Sequence, residues 1–306
     1  MAIFERGETY THWATIRDRN NVKTDPSSVK IYIYDPCGNV IVDNQSMTKS
    51  STGVYYFNYN TISSSATYGK YETKVVAKSA TGQTATYISH FYVMPYKYEQ
   101  MVRDKFGIAE EKDIDDDALS EICWSAYKKV LRDVYIHVYK ETPSPNPDTG
   151  ALFDGTNTSF QTCHYPIADI NGDGEVSGTS SCATDIWCWW IDKTGSRKEG
   201  YVSITNADNG EISLYQSDGA TAIPSDNEGV YLEYWYEYEN YDNFILNEAV
   251  TYLAAHYLNL RLTSRDKITL ADINKNKPVI LLYPSRYWDE YRKLLKDVTK
   301  PRVGGA

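Results

Sequence analysis

Two stretches with the apolar period of an α-helix enclose a long block of alternating residues in the last two thirds of the chain. The first stretch follows a run of aspartates, which favour a helix N-terminus, and its apolar positions are Leu119, Ile122, Ala126, Val130, Val134 and Val138. The second stretch has its apolar positions at Leu246, Ala249, Val250, Leu253, Tyr257 and Leu260. A third, shorter stripe consists of Tyr287, Trp288, Tyr291, Leu294 and Leu295. The pattern predicts helices at about 113–140, 242–262 and 285–298.

Residues 1–95 have the pattern of short β-strands separated by turn residues. Val29, Ile31 and Ile33 alternate with other residues at 28–34, and the turn sequence that begins at Asp35 ends this run. Further strands are predicted at the ranges 53–59, 70–78 and 84–93. Strands at this spacing, without helical stretches between them, predict an all-β sandwich, and the segments resemble immunoglobulin-like modules of viral and bacterial surface proteins.

Residues 141–239 begin with a proline-rich linker and then favour β-structure, with strands predicted at 200–205, 211–216 and 229–239. In the last of these, one face carries Val230, Leu232, Tyr234, Tyr236 and Tyr238, and the other carries Tyr231, Glu233, Trp235, Glu237 and Glu239. Such a strand suits a ring lining or a sheet edge, and it equally suits an ordinary hairpin packed on helices. The chain is therefore predicted to be a multidomain α+β protein, with a sandwich at 1–95 and a small helical bundle at 96–306 that carries a β-rich insertion at 141–239.

Composition narrows the range of functions. Tyrosine occurs 28 times, which suits both β-sheets and protein interfaces. The net charge of −10 argues against a protein whose main task is to grip nucleic acid, because phosphate contacts need lysine and arginine. The N-terminal residues do not resemble a targeting signal and no segment is apolar enough to span a bilayer, so we expect a protein that is made and used in the cytoplasm of a host cell, without a membrane partner.

The sequence at 169–175 reproduces the first half of a calcium loop. Oxygen ligands are expected from Asp169, Asn171, Asp173 and Glu175, and a glycine occupies the sixth position. The twelfth position is Ser180, where a bidentate carboxylate belongs, so Asp185 is a candidate replacement if it folds back. The sequence favours a structural Ca²⁺ or another hard cation here, and the alternative is a metal-free turn capped by aspartates.

Five cysteines, an odd number, do not make the framework of a secreted disulfide protein. Cys163, His164, Cys182 and Cys188 would supply the four ligands of a zinc site, but their spacing departs from the usual paired pattern, so zinc is disfavoured. A Cys182–Cys188 or Cys163–Cys182 disulfide is a second interpretation, and free thiols are a third.

The helical parts resemble the head–tail connector proteins of tailed viruses, also called adaptor or head-completion proteins. The resemblance covers about 105–140 and 240–300, and it includes an acidic lead into a long helix, the stretch from Ala249 to Arg261, and a terminal helix that begins near Tyr283-Pro284. In that family the β-insertion is much shorter than residues 141–239 of this chain.

The resemblance implies a virion structural protein at the neck, assembled in the host cytoplasm. Its partners would be the portal protein, tail or neck proteins and further copies of itself in a twelve-fold ring, through which the genome DNA passes without specific binding. The closing helix would contact the portal through Trp288, Tyr291, Leu294, Leu295 and Lys296.

Two other classes of function compete with an adaptor. An enzyme would need a nucleophile with its base or a paired-carboxylate cleft, and no G-x-S-x-G or H-E-x-x-H segment occurs, so a non-enzymatic protein is predicted. A carbohydrate-binding or cellulosome-like module would account for the sandwich, the aromatic residues and the half calcium loop. The missing second calcium repeat counts against that module.

Overall fold

The computed structural model describes residues 3–60, 62–106, 116–145, 153–179, 183–237, 243–265 and 284–298. These residues are mostly β-sheet, with four helices. The chain divides into two compact units. One consists of Met1–Trp124 and Tyr257–Tyr283, and the other of Ser125–His256 and Pro284–Ala306. The first of these units extends past residue 95, where the sequence predicted a domain boundary.

Eight strands form the N-terminal part of the first unit. They are β1 Ile3–Phe4, β2 Tyr10–Thr15, β3 Ser28–Tyr34, β4 Val40–Ser46, β5 Thr48–Ser51, β6 Val54–Tyr59, β7 Gly69–Lys78 and β8 Thr84–Val93. One sheet has the order β1-β8-β7-β3-β4, in which only the β1–β8 pair is parallel, and the other has the order β2-β6-β5. The strands predicted at 28–34 and 84–93 match β3 and β8 in both bounds.

The two sheets enclose one apolar core. Alternate residues of β3 are buried, and Ile31 and Ile33 have no exposed surface. The cluster also contains Tyr10, Ala14, Val42, Met47, Tyr55, Ile62, Tyr71, Val75, Ala77, Phe91 and Val93. At about 25 cal/mol per Å² of apolar surface, such burial is the main force that holds two sheets face to face.

Tyr71 closes a local corner at the start of β7. Its ring is buried, and its hydroxyl donates a 2.9 Å hydrogen bond to the carbonyl of Thr67 four residues upstream. We expect Tyr71→Phe to lower the free energy of unfolding by about 1–2 kcal/mol, because the Thr67 carbonyl loses its partner while the ring still fills its place. Urea denaturation measures this, and Tyr32→Phe, which loses only a bond to exposed Asn44, is the control. Equal losses in both variants would contradict a special role for the corner.

Helix α1, Tyr98–Phe106, joins the sandwich to the next helix, α2, Asp116–Val134. Tyr98, Val102 and Phe106 form its buried stripe. The carboxylate of Glu99 accepts hydrogen bonds from the Ile3 amide at 3.2 and 3.3 Å and from the Ser120 hydroxyl at 2.9 Å. Glu99 therefore ties the first strand to both helices.

The described residues contain two further helices, α3 Asn243–Arg265 and α4 Pro284–Val298. In α2 and α3 the predicted apolar stripes are buried, except that Leu260 is 50% exposed and Tyr257 is half-buried. The predicted extension of α2 to 140 is wrong. The helix ends at Val134, and Val138 lies in a strand, because His137 and Tyr139 alternate with Ile136 and Val138 and pair with a distant strand.

The second unit contains a seven-stranded antiparallel sheet. Its strands are β9 Ile136–Glu141, β10 Ser144–Pro145, β11 Ser159–Gln161, β12 Ile186–Ile191, β13 Arg197–Asn206, β14 Glu211–Gln216 and β15 Gly229–Tyr236. The strand order is β10-β11-β14-β13-β12-β15-β9. Strand β14 has the predicted bounds, and β15 shows the predicted alternation: Val230, Leu232 and Tyr234 are buried. Tyr238 and Glu239 lie outside the described residues.

One face of this sheet carries a second core. It includes Phe160, Ile167, Ile186, Cys188, Trp190, Val202, Ile212, Leu214, Ile223, Val230, Leu232 and Tyr234. The buried Tyr234 hydroxyl donates to Glu141 at 2.8 Å and accepts from the His164 amide at 3.1 Å. This pair of bonds fixes β9 and the segment after β11 to the central strands.

Candidate functional site

The half calcium loop folds around the carboxylate of Asp169. Its two oxygens accept hydrogen bonds from the amides of Gly172 at 2.7 Å, Asp173 at 3.1 Å and Gly174 at 2.6 Å. Asn171 Oδ1 accepts from the Asp173 amide at 2.9 Å, and Asp173 Oδ1 accepts from the Glu175 amide at 3.0 Å. Successive side-chain oxygens at alternate positions thus turn inward along one tight loop, as a chelating loop requires.

Two glycines make this turn accessible. Gly172 and Gly174 have φ angles of +75° and +89°, a region that other residues rarely adopt. Gly172 also lies against α2: a Cβ at this position would be 2.8 Å from Leu131 Cδ1 and 2.9 Å from Tyr127 Cε1. The loop therefore rests on the helix of its own unit, and its backbone is held in place from one side.

Asp185 folds back onto the loop, as the sequence suggested for a replacement carboxylate. Its side chain has no exposed surface. Asp185 Oδ1 accepts from the Ile170 amide at 3.0 Å and from Asn171 Nδ2 at 2.9 Å, and Oδ2 accepts from the Ser177 amide at 2.8 Å. A carboxylate from the residue directly before β12 thus lies against the loop, as a replacement for the ligand that the linear motif lacks at Ser180 would have to do.

The carboxylates of the loop repel one another. Burial and the charges of Asp185 and Asp173 raise the pKa of Asp169 to about 7, against the opposing hydrogen bonds of Gly174 and Gly172. Burial also raises the pKa of Asp185 to about 6, against its own amide hydrogen bonds. A bound cation would remove this repulsion and return both groups to the ionised form.

Asp169, Asn171, Asp173 and Asp185 would hold a hard cation through oxygen. The Glu175 side chain is exposed, and the seventh position of such loops serves through its backbone carbonyl. Among the described residues no three His, Cys, Asp or Glu side chains converge at ligand distance. A cation must therefore draw the carboxylates together and take amide and backbone oxygens for the rest of its shell.

A second feature is an aromatic layer on the sheet face opposite the core. Neighbouring strands β12, β15 and β9 bring its members together. We call this layer the aromatic face; it consists of His137, Tyr139, Trp187, Trp189, Tyr231 and Trp235. Tyr139 is 64% exposed and Trp187 is 38% exposed.

The rings of the aromatic face contact one another across the strands. His137 stacks on Trp235 with centroids 4.3 Å apart and planes at 20°, and Trp187 meets Trp235 edge-on at 5.8 Å. Trp189 is only 5% exposed because Tyr139 and Tyr231 flank it at 5.7 and 6.0 Å. The ring faces of His137 and Trp235 contact each other, so mainly the ring edges and polar atoms of this pair face solvent.

Charged groups beside the aromatic face are paired with one another. His137 Nε2 lies 3.0 Å from Glu233 Oε1, and Arg197 Nε lies 3.3 Å from Glu199 Oε1. The Arg197 guanidinium also covers the Trp189 ring at 4.6 Å. Balanced, internally paired charge around exposed aromatic groups is typical of a surface that contacts protein.

Most residues of the aromatic face were not predicted from the sequence. The alternation at 229–239 predicted the outward residues of β15 but not their neighbours, because the six rings come from three strands that are far apart in the chain. The available signal was the alternation at 186–191, where Trp187 and Trp189 face away from Ile186, Cys188 and Trp190.

The predicted portal-binding residues on α4 have different environments. Tyr291 is 1% exposed, and its hydroxyl donates a hydrogen bond to Asp133 Oδ2, so it belongs to the core of its own unit and is not available to a partner. Trp288 is 36% exposed and contacts the ring of His256 at 5.3 Å. Leu294 and Leu295 are half-buried, and Lys296 is exposed. The aromatic side chains of α4 therefore pack within their own unit.

Neither of the two predicted disulfides forms, because Cys163 and Cys188 are free thiols. Cys123, Cys163 and Cys188 are free thiols, whereas Cys37 takes part in a disulfide. Cys188 is buried in the sheet core, and Cys163 is exposed beside Ser144. Cys182 lies outside the described residues. Burial raises the pKa of the Cys188 thiol to about 12, so it is protonated at neutral pH.

Comparisons with known proteins do not assign the chain to a family. No family model matches the chain, and no curated protein matches it. Its fold is similar to a solved tetra-tandem repeat in the extending region of a large adhesion protein, with 14% identity and a TM-score of 0.27. That match covers 65% of this chain and 36% of the other, so the chain spans about a third of the adhesion-protein structure.

A second similar structure is the N-terminal Ig1-2 module of the Drosophila receptor protein tyrosine phosphatase DLAR. The identity is 11% and the TM-score 0.21, over 77% of this chain and 91% of that one. Likenesses of this size support no assignment of function. Among the described helices, none has the length and apolar character needed to span a membrane.

Proposed function

We propose that the chain is a non-enzymatic virion structural protein, a head–tail adaptor that forms a ring between the portal and the tail of a tailed virus. The aromatic face is the observation that carries this proposal. It presents exposed Tyr139 and Trp187 on a rigid sheet with paired charges, which is the composition of a protein interface. The resemblance of the helical segments to connector proteins is the reason that a head–tail adaptor is proposed in particular.

In this proposal each copy uses its aromatic face to contact the next copy or a neck protein, and twelve copies close the ring. The portal contact uses the exposed part of α4, which includes Trp288 and Lys296, while Tyr291 holds the helix in its own unit. Genome DNA passes through the ring without specific contacts, as the net charge of −10 suits.

The N-terminal sandwich is proposed to be an immunoglobulin-like module that decorates the ring. The sheets β2-β6-β5 and β1-β8-β7-β3-β4 have the strand distribution of that fold, with the short first strand parallel to the last. The bond from Tyr71 to the Thr67 carbonyl corresponds to the tyrosine corner of such sandwiches.

Electron microscopy of virions that contain the chain tests the adaptor proposal. We expect a twelve-fold ring of this protein at the neck. A position in the capsid lattice or in the tail tube would overturn the proposal.

Substitution of the aromatic face tests the observation that carries it. Trp187→Glu places a charge among the rings, so we expect at least a tenfold loss of ring assembly on the portal, about 1.4 kcal/mol or more. Ile41→Glu on β4 is the matched control, since Ile41 has the same 38% exposure as Trp187. Mass photometry of portal–adaptor mixtures gives the occupancy. Equal assembly by both variants would show that the contact lies elsewhere.

A carbohydrate-binding module is the alternative function. A sugar ring stacks on an exposed aromatic surface, but the pair His137 and Trp235 uses those surfaces for mutual stacking. Saturable binding of an oligosaccharide that Trp187→Glu abolishes would favour this alternative over the adaptor.

A further inference from the structure

Two strand edges on the same side of the sandwich are without a strand partner among the described residues. Strand β8 has ten residues, and β1 pairs with only two of them, Tyr92 and Val93. The outer edge of Thr84–Phe91 is therefore free. Strand β2 pairs with β6 on one side only, and the backbone hydrogen bonds described for the chain include none from its other edge. Free edges of this kind are templates for an added strand.

A groove runs between these two edges. It consists of two depressions of about 490 Å³ each, which share Trp13 and Tyr87 as lining residues. Trp13 is 56% exposed and Tyr87 is 58% exposed, which are high values for aromatic side chains beside a core. The floor reaches Val75 and Ala77, which belong to the sandwich core. The groove is therefore an elongated gap lined by exposed aromatic side chains over an apolar floor.

One polar atom in the groove points to a ligand. His12 lines the groove and is 6% exposed, and its Nε2 has no hydrogen-bond partner among the described residues. Its Nδ1 is 2.7 Å from the hydroxyl of Tyr10. Burial lowers the pKa of His12 to about 4, so the ring is neutral at neutral pH. A buried, unpaired imidazole nitrogen costs free energy that a backbone group of an added strand would recover.

The two ends of the groove carry opposite charge. Arg17 lines one end, where its guanidinium bonds only the Asn21 carbonyl among the contacts described. Asp116 and Asp117 line the other end, and Arg103 pairs with Asp116. A strand with an acidic residue at the Arg17 end and a basic residue at the Asp117 end would complement both.

We propose that this groove binds an extended strand of a partner protein by β-augmentation. The strand has about eight residues, with aliphatic side chains at alternate positions and charges of opposite sign at its ends, and it spans about 26 Å at 3.3 Å per residue. Backbone hydrogen bonds to the edges of β8 and β2 give affinity, and the apolar floor selects the alternate side chains. The sandwich acts in this way whether or not the chain is an adaptor.

The probe is a fluorescein-labelled octapeptide with valine at alternate positions, lysine at one end and glutamate at the other. Fluorescence anisotropy with the full chain is expected to show saturable binding below about 1 mM peptide. Tyr87→Asp should weaken binding at least tenfold, because it charges the centre of the groove. Val40→Asp, on the opposite edge strand β4 and 51% exposed, is the matched control and should bind normally.

A second peptide separates strand addition from simple apolar adsorption. It has the same side chains but N-methyl groups at alternate residues, which remove backbone donors. Peptides methylated in either of the two alternating registers should bind at least tenfold more weakly than the unmethylated peptide, since one register faces the edge of β8 and the other the edge of β2. Undiminished affinity of either methylated peptide, or no binding of the unmethylated peptide at 1 mM, would overturn the proposal. Self-association of the chain that Tyr87→Asp abolishes would instead assign the groove to a second copy.

Discussion

Calcium is expected to raise the melting temperature of the second unit by roughly 5–10 °C at pH 7.5. Asp169, Asp173 and Asp185 bring three carboxylates to one loop, and a cation bound to the folded state would relieve their repulsion at a pH where they are ionised. A ligand at one hundred times its dissociation constant adds about 2.7 kcal/mol to the free energy of unfolding. For a unit of this size that is a shift of several degrees.

The pH dependence has a definite sign. Without calcium, the folded pKa values of about 7 for Asp169 and about 6 for Asp185 lie above the ordinary value of 3.8. The folded state then holds protons that the unfolded state has released, so the free energy of unfolding falls as pH rises from about 4 to about 7 and is level above that. With calcium the folded carboxylates are ionised, so this decline should disappear.

Asp173→Ala should make the melting temperature insensitive to calcium and to chelator, because it removes one ligand oxygen and one repelling charge. The matched control is Asp218→Ala, which removes another aspartate that caps a turn of the same unit, at Ala220 and Thr221. Differential scanning fluorimetry with calcium and with EDTA gives the comparison. Superimposable wild-type curves in the two conditions would show that calcium does not stabilise the second unit.

Gly178→Ala is expected to destabilise the second unit by about 3 kcal/mol or more. A Cβ at Gly178 would lie 2.1 Å from the carbonyl oxygen of Val202 and 2.8 Å from its carbon, which are backbone atoms that cannot rotate away. The contact is close because the Thr179 amide donates to that carbonyl at 2.9 Å, and Thr179 Oγ1 accepts from the Val202 amide at 3.0 Å. These two bonds give partners to the backbone carbonyl and amide of Val202 in β13, beyond Gly200, where the pairing of β13 with β12 ends.

Gly195→Ala is the control for Gly178→Ala. Its φ of +77° disfavours alanine, but nothing lies within 4 Å of the new Cβ, so the loss should be only about 1 kcal/mol. Urea denaturation followed by tryptophan fluorescence measures both. Similar losses in the two variants would show that backbone conformation, and not the contact with Val202, sets the effect.

Local patterns predicted the strands well and the ends of helices poorly. Strands β3, β8 and β14 have their predicted bounds because alternation and turn residues are encoded within each segment. The first helix was extended into β9 because Val134 and Val138 satisfy a helical period, while the pairing that selects a strand comes from β15, about a hundred residues later. The predicted strand at 229–239 was correct in its alternation as far as the described residues extend.

The candidate sites also differ in how far the local sequence determines them. The turn around Asp169 follows from short-range hydrogen bonds, so the side chains whose oxygens meet there could be predicted from spacing alone. The return of Asp185 was an open alternative, since it depends on the path of the intervening chain. The aromatic face depends on the neighbourhood of three strands, and the groove on the two edges that a sandwich leaves open. Those features follow from tertiary pairing, which residue patterns do not specify.

The hydrogen bonds of Glu99 define how the chain can be divided and exchanged. Its half-buried carboxylate accepts hydrogen bonds from the Ile3 amide and the Ser120 hydroxyl, and the neighbouring Lys97 pairs with Glu8 at 2.6 Å. A recombination or fusion joint at 95 would separate Glu99 from the Ile3 amide and Lys97 from Glu8, and it would leave the Ser120 hydroxyl as the remaining donor described for the Glu99 carboxylate. Natural or engineered transfer of the sandwich to another scaffold should therefore succeed only with joints placed beyond α1, so that the sandwich and the helix travel together as one cassette.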